Sequence, residues 1–126
     1  MYKGSFFVNF EFNETVAGFH GNFTGDKLYS IQHFEIVEDC INDVYKIMKT
    51  KDHATITFDY FNNGSTNLCR LYREYDGSIV FVNWTEKNVF TSEPNIVKDI
   101  ELTKKNIKKY VLRAIELFIE KDSEAA

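Results

Sequence analysis

The chain has few of the residues that cross-link, break or loosen a fold. Its 126 residues include two cysteines, one proline and six glycines. Two cysteines cannot form a disulfide framework, so we expect Cys40 and Cys69 to be buried free thiols. The scarcity of proline and glycine excludes a linker or a disordered tail, and it predicts a single domain over residues 1–126.

Long apolar runs are also missing. Consecutive apolar residues number at most four, as in Ile79–Val82, whereas a membrane-spanning helix needs about 20. Near the N-terminus, Asn9 and Glu11 interrupt the apolar pattern, so this segment is unlike a secretory signal. We therefore predict a cytoplasmic protein that makes no membrane contact.

Clusters of chemically active side chains are absent from the sequence. His20, His33 and His53 are widely spaced, and no cysteine or carboxylate accompanies them at the spacing of metal ligands. Both cysteines fall on apolar faces of predicted elements, where a nucleophile would be inaccessible. The segment Gly18–Gly25 lacks the pattern of a phosphate-binding loop and is predicted to be a flexible turn. The sequence thus predicts no catalytic residue, no cofactor and no metal.

The net charge is −4, but it is unevenly distributed. Residues 98–113 carry six basic and two acidic side chains, while the rest of the chain is acidic. An acidic body disfavours nucleic acid as a ligand and favours a basic protein partner. We interpret the basic cluster as a solvated helix face, with contact to RNA or anionic lipid as the alternative. Its members are Lys104, Lys105, Lys108, Lys109 and Arg113.

Two hairpin signals dominate the middle of the chain. Asn63-Gly64 and Asp76-Gly77 separate three runs typical of strands, which predicts a three-stranded meander over about 54–85. If each loop has two residues, position 62 lies opposite 65, and position 75 lies opposite 78. The expected cross-strand pairs are Phe58–Cys69, Ile56–Leu71, Leu71–Val82 and Cys69–Trp84.

This register assigns each residue of the meander to one of two faces. The first is a core face with one charged residue, and it comprises Ala54, Ile56, Phe58, Tyr60, Cys69, Leu71, Arg73, Val80, Val82 and Trp84. The second mixes aromatic, aliphatic and charged residues, and it comprises Thr55, Thr57, Asp59, Phe61, Leu68, Arg70, Tyr72, Glu74, Ile79, Phe81 and Asn83.

Strands and helices are also predicted on either side of the meander. Alternating apolar residues predict a strand over Ser5–Phe12, with a possible return strand over Thr15–Phe23. Apolar residues at three- and four-residue steps predict helices over about 35–50 and 103–121, the second capped by Thr103. A short strand is expected within 96–102, and the tail from Asp122 onward is expected to fray. The fold class is α+β, with an antiparallel sheet packed by two helices.

The second face of the meander is the candidate site. Either a helix or the N-terminal segment covers it, or it binds a partner, since aromatic residues interleaved with arginine are typical of interfaces. The candidate partner-binding residues on this face and its turns are Asp59, Phe61, Arg70, Tyr72, Glu74, Asp76 and Glu86.

In its overall character the chain resembles the bacterial immunity proteins of contact-dependent growth inhibition and related polymorphic toxin systems. The shared features are small size, acidity, an α+β pattern, many Asn, Lys and aromatic residues, and no catalytic motif. The resemblance implies a stoichiometric complex with a cognate toxin domain, usually basic, whose active site is masked. Two alternatives remain: a cavity-containing α+β enzyme or ligand-binding protein, with Asp59 and a histidine as its acid and base, and an acidic secretion chaperone.

Overall fold

The computed structural model describes residues 1–87 and 90–125, apart from the side chains of residues 15, 16, 19, 20, 86 and 87, and there it contains six strands and two helices. The strands are β1 (Ser5–Val16), β2 (Phe19–Tyr29), β3 (Asp52–Phe61), β4 (Ser65–Arg73), β5 (Ile79–Lys87) and β6 (Pro94–Ile100). The helices are α1 (Phe34–Thr50), between β2 and β3, and α2 (Lys104–Glu124), after β6.

All six strands join one antiparallel sheet in the order β2-β1-β3-β4-β5-β6. The two helices contact each other and pack on the same face of this sheet, over one continuous core. The predicted α+β fold, with a meander, an N-terminal hairpin and two helices, is confirmed. Within the described ranges, neither helix has the length and apolar character needed to cross a membrane.

In the β3–β4 hairpin two deviations from the predicted register cancel. Ser65 lies opposite Phe61 rather than Asn62, so the loop has three residues instead of two. A bulge at Leu68 then adds one residue to β4 and restores the predicted pairing further along, and it places Leu68 in the core. The confirmed pairs are Phe58–Cys69 and Ile56–Leu71.

In the β4–β5 hairpin the register differs from the prediction by one residue. The amide of Glu74 donates to the carbonyl of Ser78 at 2.8 Å, and the amide of Gly77 donates to the carbonyl of Glu74 at 3.1 Å. Gly77 has φ +89°, so the loop is a three-residue turn that ends in a left-handed glycine. The predicted pairs Cys69–Trp84 and Leu71–Val82 are therefore wrong, and the observed pairs are Cys69–Asn83 and Leu71–Phe81.

This shift exchanges the two faces of β5, because a slip of one residue carries every side chain to the other side of a sheet. The residues that face the helices are Ile79, Phe81 and Asn83, all of them buried. Phe81 contacts Tyr110 of α2, with 4.7 Å between the ring centroids. The opposite face carries Val80, Val82 and Trp84, which the predicted register places in the core. Val80 and Val82 are buried there too, and Trp84 is partly exposed.

The N-terminal hairpin is longer than predicted. β1 and β2 pair in an unbroken register from Phe6–Tyr29 to Val16–Phe19. The turn consists of Ala17 and Gly18, whose φ values of 51° and 84° match the type I′ turns that suit hairpins. The prediction of a flexible turn over Gly18–Gly25 is therefore wrong, since most of that segment belongs to β2.

Helix α1 buries one apolar stripe and is tied to β2 at its polar side. The buried residues are Cys40, Ile41, Val44 and Met48. The hydroxyl of Tyr29 donates to Asp43 at 2.7 Å, and the Lys27 ammonium lies 2.9 Å from the same carboxylate. Burial raises the pKa of the Cys40 thiol to about 12 and also raises that of Cys69. Both cysteines are buried free thiols, as predicted.

Helix α2 begins where the sequence predicts, because the Thr103 hydroxyl accepts a hydrogen bond from the Asn106 amide at 3.2 Å. Its buried residues are Ile107, Tyr110, Val111, Ala114, Ile115, Leu117, Phe118 and Asp122. On its basic side, Arg113 pairs with Glu116 at 3.0 Å and Lys108 lies 4.0 Å from Glu38 of α1. The basic cluster therefore has acidic neighbours on both helices.

The end of α2 is anchored, contrary to the predicted fraying. The Asp122 carboxylate accepts hydrogen bonds from the amides of Lys3 and Gly4, at 3.0 and 2.8 Å, and from the Tyr60 hydroxyl at 2.9 Å. Burial by itself would raise the pKa of Asp122, but the hydrogen bonds from Gly4, Tyr60 and Lys3 outweigh it and lower the pKa. Asp122 thus connects the last turn of α2 to the start of β1 and the end of β3, which lie side by side in the sheet.

We expect Asp122→Asn to lower the melting temperature at neutral pH, because the anchor loses its charge and one acceptor. A carboxylate with a lowered folded-state pKa stabilises the fold above its unfolded-state pKa, near about 4, and this contribution is lost as the pH falls through the folded-state pKa. The difference in melting temperature between Asp122→Asn and the wild type should therefore become smaller in acid. Thermal unfolding followed by circular dichroism at several pH values measures this difference. Glu124→Gln, an exposed change on the same helix, is the control, and equal losses in both variants would contradict the anchoring role.

A second prediction concerns Gly4, whose missing side chain makes room for the Tyr60 ring. A Cβ at position 4 would overlap that ring, which is also held by Asp122. Overpacking of this kind costs about 1–3 kcal/mol, so Gly4→Ala should lower the free energy of unfolding by about that amount in urea titrations. Gly21→Ala is the control, because the nearest described atom to its Cβ is 4.0 Å away. A Gly4→Ala protein as stable as wild type would show that the N-terminal segment shifts freely.

Candidate functional site

The sheet face opposite the helices, called the open face below, is the candidate site. Both helices pack on the other side, so neither covers it. On β1 the odd-numbered residues from Ser5 to Asn13 belong to this face, because their even-numbered neighbours lie in the core. The pairing of the strands then brings side chains from the other five strands alongside them.

Three cross-strand rows describe the centre of the open face. The first row contains Leu28, Phe7, Asp59 and Asn67. The second row contains Asp26, Asn9, Thr57, Arg70, Val82 and Ile96. The third row contains Thr24, Glu11, Thr55, Tyr72 and Val80. Apolar, aromatic and charged side chains are thus mixed over the whole width of the sheet.

Aromatic rings form two centres on this face. The Arg70 guanidinium lies over the indole of Trp84, 5.0 Å from its centroid. Phe61 packs edge-on against Phe7 with 5.9 Å between centroids, yet 47% of Phe61 stays exposed. Leu28, next to Phe7, is 56% exposed. Rigid aromatic groups that are partly exposed beside an arginine have the composition of interface hot spots.

Asp59 and Arg70 each carry one polar atom without a hydrogen bond among the described residues. These atoms are Asp59 Oδ1 and Arg70 Nε, and both are shielded from solvent. Burial and then the charge of Asp26 raise the pKa of Asp59, and the charge of Arg70 only partly opposes them. Atoms of this kind are usually satisfied by water or by a bound molecule, because leaving them unpaired costs about 1–3 kcal/mol.

The structure brings together four of the seven predicted partner-binding residues. Those on the open face are Asp59, Phe61, Arg70 and Tyr72. Glu74 and Asp76 lie instead at the β4–β5 turn, at the rim of the face. Asp76 accepts hydrogen bonds from the hydroxyl and amide of Ser78, at 2.6 and 2.9 Å, which lower the pKa of its carboxyl and give it a role in the turn. The side chain of Glu86 lies outside the described residues.

Sequence reasoning missed other members of the site. A two-residue β4–β5 loop places Trp84 in the core, whereas the observed three-residue loop places it on the open face. Phe7, Leu28 and Asp26 belong to the N-terminal hairpin, whose place beside β3 depends on long-range pairing. The alternation of β1 already separated Phe7 from the core residues, but no local signal shows which strand lies next to it.

The geometry does not support an acid/base pair of Asp59 and His53. Both lie on β3, six residues apart, which corresponds to about 20 Å along a strand. His53 instead lines a cleft of about 320 Å³ with Asp52, Tyr72 and Glu74 at the end of the sheet. In the described part of the chain no three His, Cys, Asp or Glu side chains are grouped as metal ligands.

We expect Asp59→Asn to stabilise the free protein at neutral pH. The folded-state pKa of Asp59 is raised, so the fold disfavours the ionised carboxyl. The stability that the protonated carboxyl provides is fully present only below the unfolded-state pKa, near about 4, and is lost as the pH rises through the folded-state pKa. The gain in melting temperature should therefore disappear in acid. Asp39→Asn, an exposed change on α1, is the control. A lower melting temperature for Asp59→Asn at neutral pH would mean that Asp59 supports the fold.

The chain was compared with models of protein families, with curated proteins and with solved structures, and none of these comparisons gave a match. The site described above is therefore defined by the geometry of this chain alone.

Proposed function

We propose that this chain is a non-enzymatic protein-binding module whose partner docks on the open face. More specifically, we propose a cytoplasmic immunity protein that neutralises a cognate toxin domain of basic character in a stoichiometric complex. One observation carries the proposal: both helices pack on one side of the sheet, and the opposite side carries partly exposed aromatic and charged residues around the buried Thr57, Val80 and Val82.

The aromatic residues supply the anchors of such a complex. A few buried aromatic and arginine side chains carry most of the binding energy in an interface. Trp84 with Arg70 forms one anchor, and Phe61 with Phe7 forms the other. Both pairs are held by neighbouring strands of a rigid sheet, so little side-chain freedom is lost when a partner docks.

The charges of the open face favour a basic partner. Along the three rows, the acidic residues Glu11, Asp26 and Asp59 outnumber the single cation, Arg70. Acidic groups attract a basic partner and raise its association rate.

The test uses the protein encoded immediately upstream, since an immunity gene directly follows that of its toxin. We expect a complex of one copy of each protein in isothermal titration calorimetry. Trp84 is the single tryptophan of the chain, so its fluorescence should change when the partner docks on the open face. Combined replacement of Asp59→Lys and Glu74→Lys should weaken binding at least about tenfold, or about 1.4 kcal/mol, and reduce its salt dependence.

The control for this double variant is Asp39→Lys with Glu124→Lys. It changes the net charge equally but alters exposed residues of the helices. We expect it to leave the affinity within about twofold of wild type. Unchanged affinity in the open-face variant, or equal losses in both variants, would show that the open face is not the binding surface. The absence of any complex would contradict the proposed partner.

A further inference from the structure

One edge of the sheet is long, regular and free for backbone pairing. β2 is the outermost strand on its side, and within the described ranges no strand pairs with its outer edge. It has 11 residues in an unbroken register with β1. Its two charged residues are occupied within the fold, since Asp26 accepts from Asn9 at 2.8 Å and Lys27 pairs with Asp43.

The other edge of the sheet is protected. β6 begins at Pro94, which has no amide hydrogen to donate, and its register with β5 shifts at two places. Asp99 has φ +58°, which breaks the extended backbone near the end of the strand. Natural proteins use prolines and bulges of this kind to prevent edge-to-edge pairing. β2 has neither a proline nor a break in its pairing, so the two edges differ in their capacity to add a strand.

The turn of the N-terminal hairpin determines which groups of β2 point outward. In a two-residue hairpin the pair that flanks the loop, here Val16 and Phe19, is hydrogen-bonded. Because the pattern alternates along an antiparallel ladder, odd-numbered residues of β2 bond to β1. The amide and carbonyl groups of Asn22, Thr24 and Asp26 therefore point away from the sheet.

We propose that β2 pairs antiparallel with β2 of a second copy of this chain, around a two-fold axis at Thr24, and joins two sheets into one of twelve strands. Thr24 is the midpoint of Phe19–Tyr29, so this register uses the full length of the strand. It places Asn22 opposite Asp26 of the second copy, and Phe23 opposite Gly25 of the second copy. The interface is isologous, as expected for a two-fold dimer.

The sequence of β2 is complementary to itself in this register. Within the chain, the Asn22 amide donates to Glu11 at 3.4 Å and Asp26 accepts from Asn9 through Oδ1. In the dimer the second amide hydrogen of Asn22 would donate to the other Asp26 oxygen across the axis, on both sides, and no like charges would face each other. Phe23 is 47% exposed and its ring already lies 3.1 Å from where a Cβ of Gly25 would be. The same ring can cover the glycine of the second copy, which has no side chain to obstruct it.

Other two-fold registers of β2 are less favourable. Centring the axis on Asp26 would place the two Asp26 carboxylates directly opposite each other, which is destabilising. Centring it on Asn22 would shorten the pairing, because the turn at Ala17–Gly18 ends the strand. The proposed occupant of this edge is therefore a second copy in one register, and it is independent of the partner proposed for the open face.

Sedimentation velocity over a range of concentrations tests the dimer. We expect the wild type to shift reversibly from monomer to dimer with increasing concentration. Thr24 is exposed, so Thr24→Lys and Thr24→Glu should fold normally, yet each would place like charges across the axis and weaken the dimer at least about tenfold. An equal mixture of the two variants should form the dimer again, because a lysine of one chain then faces a glutamate of the other.

Two further variants complete the design. Thr24→Pro removes an outward amide without breaking the pairing to β1, and it should also give a monomer. Thr66→Lys, an exposed change on β4, should dimerise like wild type. A wild type that stays monomeric at all concentrations would overturn the proposal. A dimer that survives every Thr24 variant, or a mixture of Thr24→Lys and Thr24→Glu that stays monomeric, would overturn it too.

Discussion

The Phe118 ring holds α2 against the centre of the sheet, and the arrangement of the other elements depends on this contact. Phe118 packs against Tyr2, Phe6 and Tyr60, with 5.2 to 5.6 Å between ring centroids. One turn later, Asp122 binds the amides that precede β1. The last helix is thus joined to the first strand and to β3, which are far apart in sequence. α1 then packs beside α2, so both helices share one side of the sheet.

One-sided packing explains the character of the open face. A six-stranded sheet with helices on one side has its other side available, and antiparallel sheets usually make such a face polar. Here the aromatic residues Phe7, Phe61, Tyr72 and Trp84 lie among Asp59 and Arg70. Within the part of the chain that the structure describes, one polar atom of Asp59 and one of Arg70 have no hydrogen bond. Departures from good packing and hydrogen bonding in natural proteins tend to coincide with functional sites. The proposed partner-binding role accounts for this departure.

The β2 edge adjoins the open face, and Asp26 belongs to both. The proposed strand pairing uses the outward backbone groups of β2, so it would leave the aromatic anchors of the open face accessible. A two-fold axis perpendicular to the sheet at Thr24 would leave both open faces on the same side of a continuous sheet. The dimer would then present two copies of the Trp84–Arg70 and Phe61–Phe7 anchors in parallel. A partner with two binding domains, or two partner molecules side by side, could engage them with increased avidity.

The sequence by itself determined the elements, because the information for them is local. The alternation over Ser5–Phe12, the apolar stripes of both helices, the Thr103 cap and the hairpin positions all depend on neighbouring residues, and all are present in the structure. For the candidate site, local alternation groups Asp59 with Phe61 on β3 and Arg70 with Tyr72 on β4. The two pairs share one face as predicted only because the extra loop residue and the bulge at Leu68 cancel. It was insufficient for β5, where Ile79 to Val82 are all apolar and no alternation distinguishes the two faces.

Only the tertiary structure decided which face of β5 enters the core, where the N-terminal hairpin pairs, and which side of the sheet the helices cover. The first depends on one extra residue in the β4–β5 loop, and an Asp-Gly turn is compatible with loops of two or three residues. The others depend on contacts between distant segments, such as Phe6 with Phe118 and Gly4 with Asp122. Such contacts form only when the whole chain is folded, because the two partners have no interaction while the segments between them are unstructured.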